Sequence, residues 1–498
     1  MTKQQALDLL FAKQEASRAL LMAGSLIHWD AATTGVPEKS LKARGASIGW
    51  LRGEGFRRFI APDTLEAIET LEAIPDELSD NERVMIRELG REYRRVIAVP
   101  PDEYQSYMSL IAQAEPVWES ARAKCDYESI LPYYEKIFDH QRRLCDWYGY
   151  EKHPYDALLD SYERGATVEM LDGFFGALRE SVVPLLMEII KSGKQPKEIS
   201  GSFDICKQKA LLPWLADFAG YDRSRGKVGE VAHPYCTTIS RNDVRITTKY
   251  DENYLLASIY ATLHECGHAI YEQNMREDME RYGLASCASA GMHESQSRLI
   301  ENMICRSRGF IELLLPQLRG QFDYFADWDG DMLYRAINIA RPSLIRIEAD
   351  ELTYGLHVMV RYELEKALMK GEIKAADLPV LWADKCEELL GVRPDKLSNG
   401  VLQDVHWSIG LVGYFPSYAV GTAYGAQLIH AMRKSVDVDA AISGSDLSPV
   451  IGWLKENVHR HGNMLLPKDL LLQATGERFN PAYYASYLKD KFTELYLA

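Results

Sequence analysis

The sequence predicts a mainly α-helical protein in which one large helical domain takes up residues 1–498 and a small β element sits beside its most informative helix. Three observations carry this expectation. Apolar residues recur at three- and four-residue spacing through most long segments, strand signals are confined to one stretch, and no repeat, low-complexity tract or flexible linker divides the chain.

In chain order, helical spacing runs through residues 3–28, 64–96, 101–122, 128–148 and 168–192. Gly, Pro and Lys clusters at 192–202 and 220–230 read as loops. Residues 235–250, YCTTISRNDVRITTKY, are rich in β-branched side chains around the turn candidate Arg241-Asn242-Asp243 and predict a β-hairpin. Residues 254–274 return to helical spacing through Leu256, Ile259, Tyr260, Leu263 and Ile270. Further helices are expected over 292–318, 330–370 and 375–390, followed by a loop at 391–400.

Composition excludes several classes. With 47% hydrophobic residues the chain buries a large core, and it has no run of 18 apolar residues to span a bilayer. The 57 basic and 72 acidic residues give a net charge of −15, which argues against a dedicated nucleic-acid binder. Charged residues interrupt the first thirty positions, so no signal peptide is expected there. The eight cysteines contain no C-x-x-C pair, and reduced thiols in a cytoplasmic protein are the expectation. Length alone suggests about three domains, but the uninterrupted pattern favours one.

The sharpest signal is His264-Glu265-Cys266-Gly267-His268. On a helix, the two histidines lie about 40° apart and one turn along, so both imidazoles reach one ion. This is the H-E-x-x-H zinc signature, in which the glutamate reaches the water beside the metal. The bland alternative is a polar helix face whose histidines bond neighbouring carboxylates. A catalytic zinc needs a third ligand, from among Glu272, Glu277, Asp278, Glu280, His293, Glu294 and Glu301. Glu272 lies one turn beyond His268 on the same helix and makes a poor third corner. A second helix beginning near Gly291 presents Glu294, with Glu301 as a fallback ligand or a partner to the ligands. The longer H-E-x-x-H-x-x-G-x-x-H pattern is absent, because Asn274 stands where its third histidine would be.

Further short motifs surround this one: His233-Pro234-Tyr235, Asp243-Val244-Arg245-Ile246-Thr247, His293-Glu294-Ser295-Gln296, Ile345-Arg346-Ile347-Glu348-Ala349-Asp350 and Gly400 to Trp407, which includes Gln403, Asp404 and His406. With these, the chain resembles the carboxypeptidase Taq family of zinc metallocarboxypeptidases. Ile27-His28-Trp29-Asp30 and Val36-Pro37 are similar to the family's opening helix, so the resemblance extends to the N-terminus; Tyr235 replaces the usual Phe. The resemblance implies that His264, His268 and Glu294 bind the metal and that Glu265 is the catalytic base. It also implies a helical fold with a deep groove, similar to angiotensin-converting-enzyme-like and thimet-like peptidases, a homodimer, and release of single residues from peptide C-termini with broad preference.

Hydrolysis also needs a donor for the oxyanion and a reader of the terminal carboxylate. His406 and Tyr418 are favoured as donors, then Tyr414, with Asp404 expected to orient His406 or a metal-binding histidine. Arg346 and Arg245 are the carboxylate candidates, followed by Arg341; the alternative for Arg346 is an ion pair with Asp350. His233, His293 and Gln296 are expected at the pocket wall or behind the ligands, and the hairpin offers a strand edge to a peptide. His140, His153, His357, His430, His459 and His461 have no constellation around them. One ion per subunit is expected, and His₂Glu suits zinc and cobalt alike. The expected partners are peptides, with neither nucleic acid nor membrane. Two competitors remain: an endo-acting oligopeptidase with the same core, and a non-catalytic scaffold stabilised by metal.

Overall fold

The computed structural model describes residues 1–498. Its N-terminal part is four helices: α1 (Lys3–Thr33), α2 (Leu41–Phe59), α3 (Pro62–Glu72) and α4 (Asp80–Ala98). The expected single helix over 64–96 is therefore two. Pro75 cannot continue α3, and Ser79 restarts the chain with a capping box to Glu82. Residues from α1, α3 and α4, with Leu78 from the connection between the last two, form their own cluster of 11 buried apolar residues, apart from the main core of 104. This group of helices is thus cored separately from the body that carries the motifs.

The body continues with α5 (Pro101–Lys124), α6 (Tyr127–Tyr148), α7 (Pro154–Tyr162), α8 (Val168–Ser192) and α9 (Ile205–Ala219). The hairpin forms where expected, from β2 (Cys236–Ser240) and β3 (Asp243–Thr248), but a third strand, β1 (Val228–Glu230), pairs parallel to β3 within the segment read as a loop. Three residues are too few to show a two-residue period, so only the partner strand reveals β1. The order β1-β3-β2 leaves β2 at an edge.

Next come α10 (Leu255–Gln273), α11 (Ala290–Arg298), α12 (Arg308–Gln321), α13 (Gly330–Ile337), α14 (Tyr354–Lys370) and α15 (Leu378–Leu390). The expected helix over 292–318 is interrupted by a π-helical turn, Leu299–Ile304, after which Ser307 caps α12. The one expected over 330–370 is broken between α13 and α14. There the Asn338 side chain donates to the Tyr334 carbonyl, and Pro342 bars helix at the residue before it.

The last helices are α16 (Phe415–Met432), α17 (Val438–Ser443), α18 (Ser448–Asn457), α19 (Pro467–Thr475) and α20 (Ala482–Tyr496). Helix α16 gave no periodic signal because it is buried on nearly every side and therefore lacks a polar face. It packs against α11, which packs against α10, which lies on β3. Two glycines permit this close stacking. A Cβ on Gly267 of α10 would come within 2.6 Å of the Gln296 carbonyl and Ser297 Cα in α11, and one on Gly421 of α16 within 2.7 Å of Glu294 Cβ. No helix is long and apolar enough to cross a membrane.

Candidate active site

Helix α10 presents His264 and His268 toward α11, which presents Glu294. The ligand atoms of these three residues all lie within 4.8 Å of one another, with Glu294 Oε2 at 3.7 Å from His264 Nε2 and 3.5 Å from His268 Nε2. Each histidine is oriented from behind. His264 Nδ1 donates to Glu301 Oε2 (2.9 Å) and His268 Nδ1 donates to the His293 carbonyl (3.1 Å), which leaves each Nε2 with its lone pair toward the shared point. Two imidazoles and one carboxylate converging in this way fit a divalent cation. Glu301, the fallback ligand of the sequence reading, stands behind His264.

Arg298, one turn beyond Glu294, donates through Nε to Glu294 Oε1 (2.7 Å) and through Nη1 to Glu301 Oε2 (3.3 Å), and its guanidinium lies 4.4 Å from the Tyr354 ring centre. Burial opposes the charge of Glu294 and Glu301, but Arg298 outweighs it and holds both carboxyls far below their ordinary value. Burial likewise opposes charge on His264, yet the Glu294 charge and the Glu301 bond raise its pKa. For His268 burial, helped by His293, outweighs the bond with Glu294 and pushes the imidazole down to about 3. Arg298 was missed by the sequence reading, although its spacing from Glu294 was a usable signal.

Glu265 is 5% exposed, and its Oε2 is buried without a hydrogen-bond partner. Burial raises its carboxyl to about 7. It opens on a cavity of about 1070 Å³ whose wall includes His264, His268, Glu294, Tyr235, Tyr414 and Tyr418.

A family model for the carboxypeptidase Taq (M32) metallopeptidases matches residues 10–492. The chain belongs to this family. It is 41% identical over 477 residues to carboxypeptidase 1 of Bacillus subtilis, covering 95% of each chain. It is 35% identical over 511 residues to thermostable carboxypeptidase 1 of Thermus thermophilus, covering 100% of both. Among solved structures, Pyrococcus furiosus carboxypeptidase matches with a TM-score of 0.94 at 34% identity, over 98% of this chain and 99% of that one. The protein is therefore a metallocarboxypeptidase.

The remaining residues of this metallocarboxypeptidase divide clearly. Tyr414 and Tyr418 stand edge to face at 5.1 Å, and His406 Nε2 lies 3.4 Å from the Tyr418 hydroxyl. His406 is not part of the cavity wall; it meets the cavity through Tyr418. Burial and then the Arg346 charge push its imidazole down to about 4.

The arginine expectations need correction. Arg346 is buried, donates twice to Asp404 Oδ1 (3.1 and 2.8 Å) and once to the Tyr354 hydroxyl (3.3 Å), and does not line the cavity. Its partner is Asp404 and not Asp350, because residues 346–353 do not form the helix that would stack them. Asp350 instead accepts the backbone N–H groups of Arg341 (3.0 Å) and Thr353 (2.9 Å). Asp404 gives its other oxygen to Arg361 (2.9 and 2.7 Å), so it orients two arginines and makes no bond to His406. Arg361 is 0% exposed and was missed; a cation amid the apolar run of α14 was its signal. Arg245 is paired with Asp243 (2.8 and 2.7 Å) and Arg341 with Glu198 on the surface, and neither lines the cavity.

Gln296 is also turned away from the cavity. Its Oε1 meets His459 Nε2 at 2.9 Å inside the protein, so His459, set aside by the sequence reading, braces α11 from behind. His233 is exposed, while its neighbours Pro234, Tyr235 and Cys236 reach the cavity wall. His293 does line the cavity, stacked on His268 at 4.1 Å with Nε2 3.2 Å from Glu272 Oε1.

Proposed function

We propose that this metallocarboxypeptidase holds one divalent ion per subunit, zinc or cobalt, on His264, His268 and Glu294, and releases single residues from peptide C-termini with broad preference. The observation that carries the reading is the unpartnered Glu265 oxygen, buried beside three converging ligand atoms. When bound, such an ion supplies a Lewis acid for the scissile carbonyl and favours a hydroxide nucleophile at neutral pH.

Glu265 is the general base: its free Oε2 accepts a proton from the attacking water and later returns it to the leaving amine. A carboxyl raised to about 7 by burial is matched to that exchange near neutral pH. Burial and the neighbouring Tyr414 keep the Tyr418 hydroxyl protonated, so it serves as a donor to the developing oxyanion. His406 holds that hydroxyl in place. Arg346 acts at a distance, by fixing with Asp404 the segment that carries His406. The edge strand β2, whose Cys236 reaches the cavity, offers backbone groups to the rest of the peptide. A cytoplasmic homodimer and a groove like that of angiotensin-converting-enzyme-like and thimet-like peptidases accompany this reading through the family resemblance.

The decisive experiment is Glu265→Gln. Hydrolysis of a free-carboxylate peptide falls by about 10²–10⁴-fold, the usual weight of a positioned base, while bound metal measured by atomic emission is retained. An unchanged rate refutes the assignment and favours the scaffold reading. Equal cleavage of a peptide and its C-terminally amidated twin would replace the carboxypeptidase with an endo-acting oligopeptidase on the same core.

A further inference from the structure

The arginines expected to read the substrate lie elsewhere, but the cavity wall formed by α4 and the turn after α7 carries three others: Arg91, Arg95 and Arg164. Their counter-ions are too few. Asp160 accepts from both Arg91 and Arg95 (3.1 Å from the latter), and Glu88 accepts from both Arg164 and Arg87 (2.8 Å from the latter). Four guanidinium groups therefore share two carboxylates. The one other acid on this wall is Glu92, whose carboxyl pKa is raised by burial. A positive wall of this kind inside a chain of net charge −15 is a local feature that the overall composition hides.

The forks are also incompletely used. Arg91 bonds through Nη2, to the side chain and the carbonyl of Asp160. Arg95 places Nη2 on the Ala157 carbonyl and Ser161 Oγ (both 2.8 Å) and Nη1 on Asp160. Arg164 Nε is buried with no partner. Burial, with a smaller contribution from the Arg91 charge, lowers the pKa of Arg95, whose guanidinium lies 4.1 Å from the Tyr148 ring centre. An anion entering the cavity adds counter-charge to a wall on which the guanidinium groups outnumber the carboxylates they share.

We infer that Arg91, Arg95 and Arg164 form a carboxylate-binding subsite of the cavity, which takes an anionic group of the peptide. Two sources share this chemistry, the free C-terminus and an acidic side chain, and both match the planar fork of arginine. The inference rests on the peptidase reading above for its substrate, and it makes this wall the specificity-determining one.

The test compares wild type with Arg91→Gln, Arg95→Gln and Arg164→Gln on two N-acylated peptides with free C-termini, one with uncharged side chains and the same with a glutamate added; the amide of the first serves as a binding control. Loss of a charged hydrogen bond raises KM about 10- to 100-fold with kcat little changed. A rise for every free-carboxylate peptide assigns the subsite to the C-terminus; a rise confined to the glutamate peptide assigns it to side chains. Unchanged KM on both free-carboxylate peptides overturns the inference. Thermal unfolding controls for damage to the Asp160 network, and Arg91, with 29% of its side chain exposed, is the variant of choice if Arg95→Gln does not fold. Calorimetric binding of the same peptides to metal-loaded Glu265→Gln protein, with and without Arg91→Gln, reports the subsite without turnover. If Glu265→Gln stays active, the general-base reading fails while this binding difference still decides the subsite.

Discussion

Gly267→Ala is the most informative single change, because general helix propensity and this structure predict opposite results. Alanine is favoured over glycine inside a helix by about 1 kcal/mol, so a neutral environment would stabilise the variant. At Gly267 the new Cβ would lie 2.6 Å from both Ser297 Cα and the Gln296 carbonyl oxygen, about 1 Å inside the optimum carbon contact of ~3.5 Å. Both obstacles are backbone atoms, which cannot rotate away. Helices α10 and α11 must separate by a large part of that ångström, and they carry the histidines and Glu294 respectively. Metal–ligand distances tolerate only about 0.2 Å. We expect a net destabilisation of about 1–3 kcal/mol from overpacking and a loss of zinc affinity of about 10- to 100-fold, comparable to the loss of a group that orients a ligand. Thermal unfolding and zinc titration by calorimetry measure the two effects. Gly173→Ala in α8, where the new methyl meets nothing within 4 Å, is the control and should be stabilised. Unaltered zinc affinity in Gly267→Ala, or stabilisation equal to the control, would refute the close-packing argument.

Tyr418→Phe should lower kcat by about 10²–10³-fold with little effect on KM, as expected for a lost oxyanion donor; a change confined to KM contradicts the role. Asp404→Asn leaves the buried Arg346 and Arg361 without their shared charge and should cost about 3–5 kcal/mol in urea unfolding; a cost below 1 kcal/mol would show that the cluster is not held by charge. Glu163, buried where it accepts from Gly291 N (3.0 Å) and the Tyr424 hydroxyl (3.0 Å), is raised by burial from 4.5 to about 7. Its contribution is therefore full below pH 4.5 and is lost as pH rises through 7. Glu163→Gln, which cannot ionise, should gain on wild type by up to about 3 kcal/mol between pH 5 and pH 8, and a difference that stays flat with pH would exclude titration of this group.

The parts of the molecule legible in the sequence are those in which chemistry is local. The H-E-x-x-H pair needs only helical geometry to place its two histidines, and Glu294 followed from the restart of a helical pattern after residue 289. Helix α8 and the β2–β3 hairpin were legible because each shows its period on one exposed face or at one turn. Helix α16 and strand β1 were not, the first because burial on all sides erases the pattern and the second because three residues cannot display one.

The arginines mark the boundary between the two kinds of information. That an anionic peptide end calls for a guanidinium is chemistry, and the sequence by itself indicates it together with the candidate metal ligands and the candidate base. Which arginine remains free is decided by where the counter-charges fall. Asp404 lies 58 positions from Arg346 yet accepts two of its hydrogen bonds, Asp160 is shared between Arg91 and Arg95, and Glu88 accepts from Arg164, 76 positions away. Carboxylates so far apart in the chain are brought to their partners only by the packing of helices. Charge compensation in a low-dielectric interior is settled by distance in space, and for that only the tertiary structure has an answer.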